Sequence, residues 1–452
     1  AALAGMLKES GYQVSGSDAN VYPPMSDFLK RIEVRVFSGY KPEHLHPPPD
    51  LVVVGNVISK PNPEAQELAR LRLPYISMPQ AIARFYISGK QSLVVTGTHG
   101  KTTTSSMLAS ALFSAGGDPG FMIGGILKDF DANYRLGSGP CFISEGDEYD
   151  TAYFDKESKF FHYQPDIAVI TSLEFDHADI FDDLEHIKRS FKKFVSLLPQ
   201  SGLIVAHTDD PNVAEVVAHA SCQLESYGLS VGCDWQIVDP AFSPKGSTFS
   251  LLYQDQPFMT LSIPQSGYYN CLNATSVAAV MHRLGYAPSA IGNGLAEFGG
   301  VKRRQEVRGV VNDITVIDDF AHHPTAVKAT LRGLKSAHPD NRLVAIFEPR
   351  TNTSRRAIFQ QEYVASFSAA DLSLIREVAK DKPVDGDDML SSAQLAEDLQ
   401  NEGFEARAFG DTDQIIAHVS RIAQPGDIIA ILSNGGFDNI HERLLDTLRS
   451  TF

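Results

Sequence analysis

The sequence predicts an α/β protein built on parallel sheets and divided into three blocks, residues 1–89, 90–301 and 302–452. Within residues 92–117 a short apolar run gives way to a glycine turn and then to a helical pattern. Elsewhere, apolar runs of strand length end in acidic, imidazole or guanidinium side chains, and parallel sheets bind ligands at such carboxyl ends. The length of 452 residues also exceeds what one hydrophobic core organises.

In the first block, Ala1–Ser10 reads as a helix that an upstream strand and turn would precede. Gln13-Val14 and Leu51–Val54 read as strands, followed by Gly16-Ser17-Asp18 and Gly55-Asn56. Short parallel strands with polar ends predict a small nucleotide-binding sheet. Pro47-Pro48-Pro49 is a short rigid connector.

The second block opens on the most informative stretch. Leu93–Val95 reads as a buried strand, and Gly97-Thr98-His99-Gly100 breaks it into a tight turn. A helix follows from Lys101-Thr102-Thr103, with Met107, Leu108, Ala111 and Leu112 on one face, closed by Gly116-Gly117-Asp118-Pro119. Strand, glycine turn and helix with Lys-Thr at its start form a phosphate cradle. Backbone N–H groups meet the anion, Lys101 supplies charge, and the Thr102 hydroxyl suits Mg²⁺. The usual P-loop pattern requires a glycine where Val95 stands, so the strand and helix around the turn carry the reading. His99 fills the loop.

Two further strands end in reactive groups. Cys141–Ser144 leads into Glu145-Gly146-Asp147-Glu148, and Ile167–Ile170 leads through Thr171-Ser172-Leu173 into Glu174-Phe175-Asp176-His177. Glu145 reads as a magnesium ligand or a helix N-terminal carboxylate, and His177 as a ligand or a hydrogen-bonded turn histidine. Asp147, Glu148, Asp150, Asp176 and Asp179 read partly as supports for these groups and mostly as solvated surface charge. Tyr153, Phe154, Phe160 and Phe161 read as core or interface aromatics.

The third block repeats the logic. Ile314–Ile317 precedes Asp318-Asp319, Leu343–Phe347 precedes Glu348-Pro349-Arg350, Leu372–Ile375 precedes Arg376-Glu377, and Ile428–Leu432 precedes Ser433-Asn434-Gly435-Gly436. A second open parallel sheet is expected. His322-His323 are neighbours on a turn whose side chains diverge, with no third ligand nearby in sequence, so a nucleotide-contacting loop is expected rather than a metal site. Arg350 is either a bidentate carboxylate clamp or a surface arginine.

Composition narrows the partners. A formal charge of −16 argues against nucleic acid or an anionic membrane as the main partner. Cys141, Cys222, Cys233 and Cys271 have no Cys-x-x-Cys spacing, which fits a reducing compartment and argues against a zinc site. No apolar run has the length of a membrane span and no signal-peptide pattern is present, so the cytoplasm is the expected location.

Taken together and in order, Gly97-Thr98-His99-Gly100-Lys101-Thr102, Glu145-Gly146-Asp147-Glu148, Glu174-Phe175-Asp176-His177 and Asp319-Phe320-Ala321-His322-His323-Pro324 resemble the Mur ligases, the ATP-dependent amino-acid and peptide ligases of bacterial cell-wall synthesis. The similarity covers nearly the whole chain. It implies a Rossmann-like N-terminal domain for a UDP-sugar, a central P-loop ATPase domain, and a Rossmann-like C-terminal domain presenting the incoming amine. Glu148–Tyr163, Lys302-Arg303-Arg304, Glu348–Thr353 and Ser433–Phe437 are similar to the branch that joins UDP-N-acetylmuramate to the recycled tripeptide L-alanyl-γ-D-glutamyl-meso-diaminopimelate. The branch that adds L-alanine instead is the alternative.

The resemblance implies ATP and Mg²⁺ as cofactors, and an acid activated as an acyl phosphate before an amine captures it. It makes Lys101, Glu145 and His177 catalytic, with Thr102, Glu145 and His177 holding the metal. Gly97, Thr98, His99, Gly100, Lys101, Thr102, Thr103, Asn273, Arg304 and Asp319 fall at nucleotide-binding positions. Ser17, Asp18, Arg350 and Asn352 fall at substrate-binding positions. Three features depart from the family: the opening glycine-rich turn is missing, Tyr269 replaces a histidine before Asn270, and neither Lys192 nor another lysine stands out as the carbamylated residue of some members. A P-loop switch or kinase is the rival class, but a switch needs no second α/β block with reactive strand ends.

Overall fold

β-Structure divides into four sheets in the computed structural model, which describes residues 1–22, 25–149, 153, 157–176, 180–350, 354–378 and 389–451. The first block starts with α1 (Ala2–Glu9), which buries Ala2, Leu3 and Met6. β1 (Ser15–Asp18) pairs in parallel with β2 (Arg35–Ser38) across α2 (Met25–Arg31), and β3 (Val52–Val54) pairs in parallel with β4 (Tyr75–Ser77) across α3 (Pro63–Leu71). Two separate strand pairs therefore replace the single small sheet expected here. β1 also lies two residues beyond Gln13-Val14, so Gly16-Ser17-Asp18 sits within the strand instead of after it. The strand is polar and mostly exposed, which removes the alternation that would have marked it. α4 (Met78–Ile82) then leads toward the central block, its start closed by a Ser77–Gln80 capping box.

The central block runs β5 (Gln91–Thr96), α5 (Lys101–Ser114), β6 (Gly120–Leu127), β7 (Ala132–Arg135), β8 (Cys141–Gly146), β9 (Ile167–Ile170) and α6 (Leu184–Val195). It continues through β10 (Leu203–His207), α7 (Pro211–Val217), β11 (Gln223–Gly228), β12 (Trp235–Ser243), β13 (Gly246–Tyr253), β14 (Gln256–Ile263), α8 (Tyr268–Arg283) and α9 (Pro288–Ala296). Its ten-stranded sheet has the order β14-β13-β12-β11-β10-β9-β5-β8-β6-β7. The strands from β12 to β6 are parallel, and antiparallel partners close both edges.

Alternation along β5 builds two cores. Leu93 and Val95 pack with Met107 of α5 and Val277 of α8, whereas Val94 packs with Phe142, Ile170 and Phe191 on the opposite face. The single apolar stripe expected on α5 is not what forms. Thr104, Ser105 and Ser106 are buried as well, because α8 and α9 close over the helix. Ser105 returns its hydroxyl to the Lys101 carbonyl at 2.7 Å, which lets a polar residue sit there.

The third block runs β15 (Glu306–Val311), β16 (Ile314–Asp319), α10 (Pro324–Ala337), β17 (Leu343–Phe347), α11 (Gln360–Ser366) and β18 (Leu372–Arg376), followed by α12 (Ser392–Asn401), β19 (Ala406–Phe409), α13 (Thr412–Ile422), β20 (Ile428–Leu432) and α14 (Ile440–Thr451). The order β15-β16-β20-β17-β18-β19 is parallel throughout except for β15. Val327, Leu331, Phe347 and Leu395 fill one face, and Ile346, Leu374, Ile415 and Leu444 fill the other. All four strands expected here form, because fully buried parallel strands are nearly continuous apolar runs.

Asp210 ties this scaffold to the end of β9. One carboxylate oxygen caps α7, accepting from Asn212 N at 2.9 Å, and the other accepts from Leu173 N at 2.8 Å. Asp210→Ala is expected to lower stability by about 1–2 kcal/mol, with Asp210→Asn recovering much of it. The shift in the urea-unfolding midpoint measures this, and an unchanged midpoint contradicts it.

Candidate active site

The phosphate loop exists because two glycines leave β5 with positive φ, +128° at Gly97 and +85° at Gly100. A Cβ on Gly97 would run into the Thr171 hydroxyl and stand 2.9 Å from the Ser172 backbone nitrogen. The end of β9 braces this loop. Thr98 N donates to Ser172 O at 2.9 Å, His99 N donates to Ser172 Oγ at 2.9 Å, and Glu174 N donates to Thr98 Oγ1 at 2.9 Å.

These bonds narrow the cradle inferred from sequence. The N–H groups of Thr98 and His99 are already engaged, whereas α5 begins from Gly100 with no side-chain cap. The first bond back to the cap is Thr104 N to Gly100 O, at 2.9 Å. The N–H groups of Lys101, Thr102 and Thr103 thus precede any intrahelical acceptor and face the helix entrance, where an anion is favoured.

Lys101 lies above this entrance. Its Nζ donates to Gly97 O at 2.7 Å and to both Glu148 oxygens, at 2.8 and 3.0 Å. Burial works against its charge, but Glu148, with help from Asp147 and Glu145, outweighs that and raises the ammonium pKa. Glu148 is only 3% exposed, so it is a buried counter-ion, one of the supporting groups expected among these mostly solvated acids. Asp176 is buried too, at 5%. Asp147 pairs with Lys159 at 2.6 Å, and Lys159 and Lys101 overcome its burial to keep its carboxyl below the usual range.

Glu145 and Thr102 meet beside the same helix start. Glu145 Oε1 accepts from Thr102 Oγ1 at 2.9 Å, and Oε2 accepts from Gly124 N at 2.8 Å. Two positions of the facing strand β6 carry no side chain: a Cβ on Gly124 would stand 3.0 Å from Glu145 Oε2, and one on Gly125 would stand 2.7 Å from Thr102 Cγ2. A carboxylate and a hydroxyl under two glycines make a hard-oxygen donor pair, which fits Mg²⁺.

The third block sits against this site. Thr325 Oγ1 at the start of α10 donates to Glu174 Oε2 at 2.6 Å, and the His323 and His99 rings lie 4.8 Å apart. Gly267 and Gly333 let α8 and α10 touch: a Cβ on Gly267 would be 3.2 Å from the Gly333 Cα, with the Tyr269 ring packed alongside.

Family profiles match the chain in sequence order: Mur ligase family, catalytic domain, over residues 1–88; Mur ligase middle domain over 95–281; and Mur ligase, glutamate ligase domain, over 303–435. The chain is 37% identical over 447 residues to the UDP-N-acetylmuramate–L-alanyl-γ-D-glutamyl-meso-2,6-diaminoheptandioate ligase of Escherichia coli K12, covering 99% of this chain and 95% of that protein. It is 34% identical over 455 residues to the UDP-N-acetylmuramate–L-alanine ligase of Geobacter sp. M21, again covering 99% and 95%. The crystal structure of a murein peptide ligase from Psychrobacter arcticus 273-4 matches with a TM-score of 0.70 at 35% identity, covering 99% of this chain and 96% of that one. The chain belongs to the Mur ligase family.

Mur ligases have a three-domain α/β architecture and are ATP-dependent ligases, and both hold for this chain. The structure gathers most of the sequence-derived nucleotide residues of this Mur ligase in one place. Asn273 stands over Gly100, where a Cβ would approach its Oδ1 to 2.8 Å. Asp319 is buried and accepts from Gln305 N and Ala321 N, both at 2.8 Å, and burial pushes its pKa up against the pull of Arg304. Arg304 lies over the Phe320 ring, 4.6 Å from its centroid.

The substrate residues are more dispersed. Ser17 bonds Glu64 within the first block, and Asp18 accepts from Asn20 N at 2.9 Å. Arg350 is exposed, packs its side chain over Gly435 and lies 3.7 Å from Glu348. His177 and Asn352 lie outside the described residues.

Three residues of the site meet partners that the sequence did not reveal. Glu148 carried no signal beyond its acidic run. Glu174 and His323 come together only through the third block, which supplies the neighbours that His323 lacked in sequence. Gly97→Ala is expected to weaken ADP binding roughly tenfold to a hundredfold, from about 1–3 kcal/mol of backbone strain and displaced loop. Titration calorimetry with ADP measures this, and an unaltered Kd would refute the account of the loop.

Proposed function

We propose that this Mur ligase joins UDP-N-acetylmuramate to L-alanyl-γ-D-glutamyl-meso-diaminopimelate through an acyl phosphate, in cytoplasmic peptidoglycan recycling. The full-length 37% identity to the Escherichia coli ligase of that name carries this reading. The 34% relative named for L-alanine favours the second reading, a smaller acceptor on the same chemistry. Residues 1–89 would hold the UDP-sugar, 90–301 the ATP and 302–452 the amine.

In this proposal the lactyl carboxylate attacks the γ-phosphorus of ATP and ADP departs, since a free carboxylate is a poor acyl donor. The peptide α-amine then attacks the acyl phosphate and inorganic phosphate leaves. Lys101 turns from Glu148 to the transferring phosphoryl group, and the N–H groups of Lys101–Thr103 hold phosphate oxygens at the helix start. Thr102 and Glu145 would hold Mg²⁺, with His177 completing the set, and the ion would neutralise developing phosphate charge. Asn273, Arg304 and Asp319 line the nucleotide side. The Glu174–Thr325 contact keeps the third block seated, which excludes water from an intermediate that water destroys.

Arg350, with Asn352 near it in sequence, is assigned to a tripeptide carboxylate, and Ser17 and Asp18 to the UDP-sugar. Following ADP release with each acceptor tests the proposal. The tripeptide is expected to give a kcat/KM at least about tenfold above L-alanine, a difference of about 1.4 kcal/mol. The reverse order would establish the L-alanine reading. Arg350→Ala is expected to raise the tripeptide KM roughly tenfold, the worth of one charged hydrogen bond, with the ATP KM unchanged. An unchanged tripeptide KM removes Arg350 from that role.

A further inference from the structure

Apart from the Thr102–Glu145 pair, the described residues hold one more cluster of ligand-type side chains, which is partly buried. His99, Glu174 and His323 place their ligand atoms within 4.8 Å of one another. They come from the phosphate loop, the end of β9 and the cap of α10, so the cluster is complete only with the third block in place. Glu174 Oε2 lies 3.6 Å from His99 Nε2 and 3.7 Å from His323 Nδ1. Tetrahedral zinc, with bonds of about 2.0–2.1 Å, separates its ligand atoms by roughly 3.4 Å. Two of the three edges already stand close to that spacing.

The imidazoles are otherwise poorly satisfied. Nε2 of His99 and Nε2 of His323 are buried without a hydrogen-bond partner, and the His323 side chain is 6% exposed. Buried polar atoms in native proteins are usually paired, and the His99 orphan lies beside the Glu174 carboxylate. On His323 it is Nδ1 that faces Glu174, and this atom accepts only a long 3.4 Å bond from Thr325 N at the start of α10.

We infer that His99, Glu174 and His323 form a binding site for a divalent transition-metal ion of zinc type, bridging the central and C-terminal domains. Two imidazoles and a carboxylate suit zinc or cobalt, whereas the hydroxyl and carboxylate at Thr102 and Glu145 suit magnesium. Three protein ligands leave a fourth position open to water or to a substrate donor. The protonation states agree: burial, and the neighbouring His99, lower the His323 pKa and keep its ring neutral. Burial opposes the charge of Glu174, but His99, Thr325 and His323 overcome it and hold the carboxyl well below its usual range. The Thr325 hydroxyl, 2.6 Å from Glu174 Oε2, orients the carboxylate for this role. A bound ion would fasten α10 to the phosphate loop and hold the two domains closed.

Metal uptake is read without turnover, so the outcome does not depend on which amine the ligase accepts. The full chain is dialysed against Zn²⁺ with Mg²⁺ in large excess, and bound zinc is counted. One equivalent is expected to remain. His323→Gln is expected to weaken zinc binding at least about tenfold, and Glu145→Gln to leave it in place. Zinc-edge absorption spectroscopy on the unaltered chain is expected to show two imidazoles, which keeps the proposal testable if His323→Gln does not fold. No zinc retained against Mg²⁺, equal uptake by His323→Gln, loss in Glu145→Gln alone, or an all-oxygen zinc environment would each overturn it.

Discussion

β5 lies between β8 and β9 in parallel register, and that pairing positions the chemistry. Val95 stands opposite both Glu145 and Val169, and Thr96 opposite Gly146 and Ile170. Three strands therefore end at one level, and their next residues, the phosphate loop, Glu145-to-Glu148 and Thr171-to-Glu174, emerge side by side. A slip of one residue would turn Leu93 and Val95 away from α5 and carry Glu145 off the Thr102 hydroxyl. The buried alternation of β5 against two cores holds the register, and the site inherits it.

Charge is arranged on that platform in two layers. Closest to the helix entrance, Lys101 is neutralised by Glu148, while Asp147 is neutralised by Lys159. Such a network tolerates burial only because each charge has a partner, and it presents one cation that a triphosphate can recruit. Farther out, the Glu174 carboxylate touches the third block through Thr325, so seating of that block and bracing of the loop share one residue. Thr98, Ser172 and Glu174 form the physical link between anion site and domain contact.

Parallel strands with continuous apolar runs were legible in the sequence, as were the glycine turn and the order of the blocks. Leu343–Phe347 and Ile428–Leu432 are buried along their whole length, and their composition announces it. Ser15–Asp18 is a strand that composition hides, because pairing with β2 and not burial makes it one. α5 misled in the opposite direction. Its serines and threonines lie off the expected apolar face, but α8 and α9 cover Thr104, Ser105 and Ser106, and of these only Ser105 returns its hydroxyl to helix carbonyls.

The sequence by itself determined the glycine loop and the helix start beyond it, since Gly97, Gly100, Lys101 and Thr102 are neighbours along the chain and local backbone geometry suffices to place them. Glu145 was legible for a related reason, standing at the end of a recognisable strand. Only the tertiary structure decided that Glu148 is the partner of Lys101, that Ser172 takes two loop N–H groups, and that His323 meets His99 and Glu174. Those pairings join residues tens or hundreds of positions apart. Their distances follow from sheet register and domain contact, and neither is written in any local run of side chains.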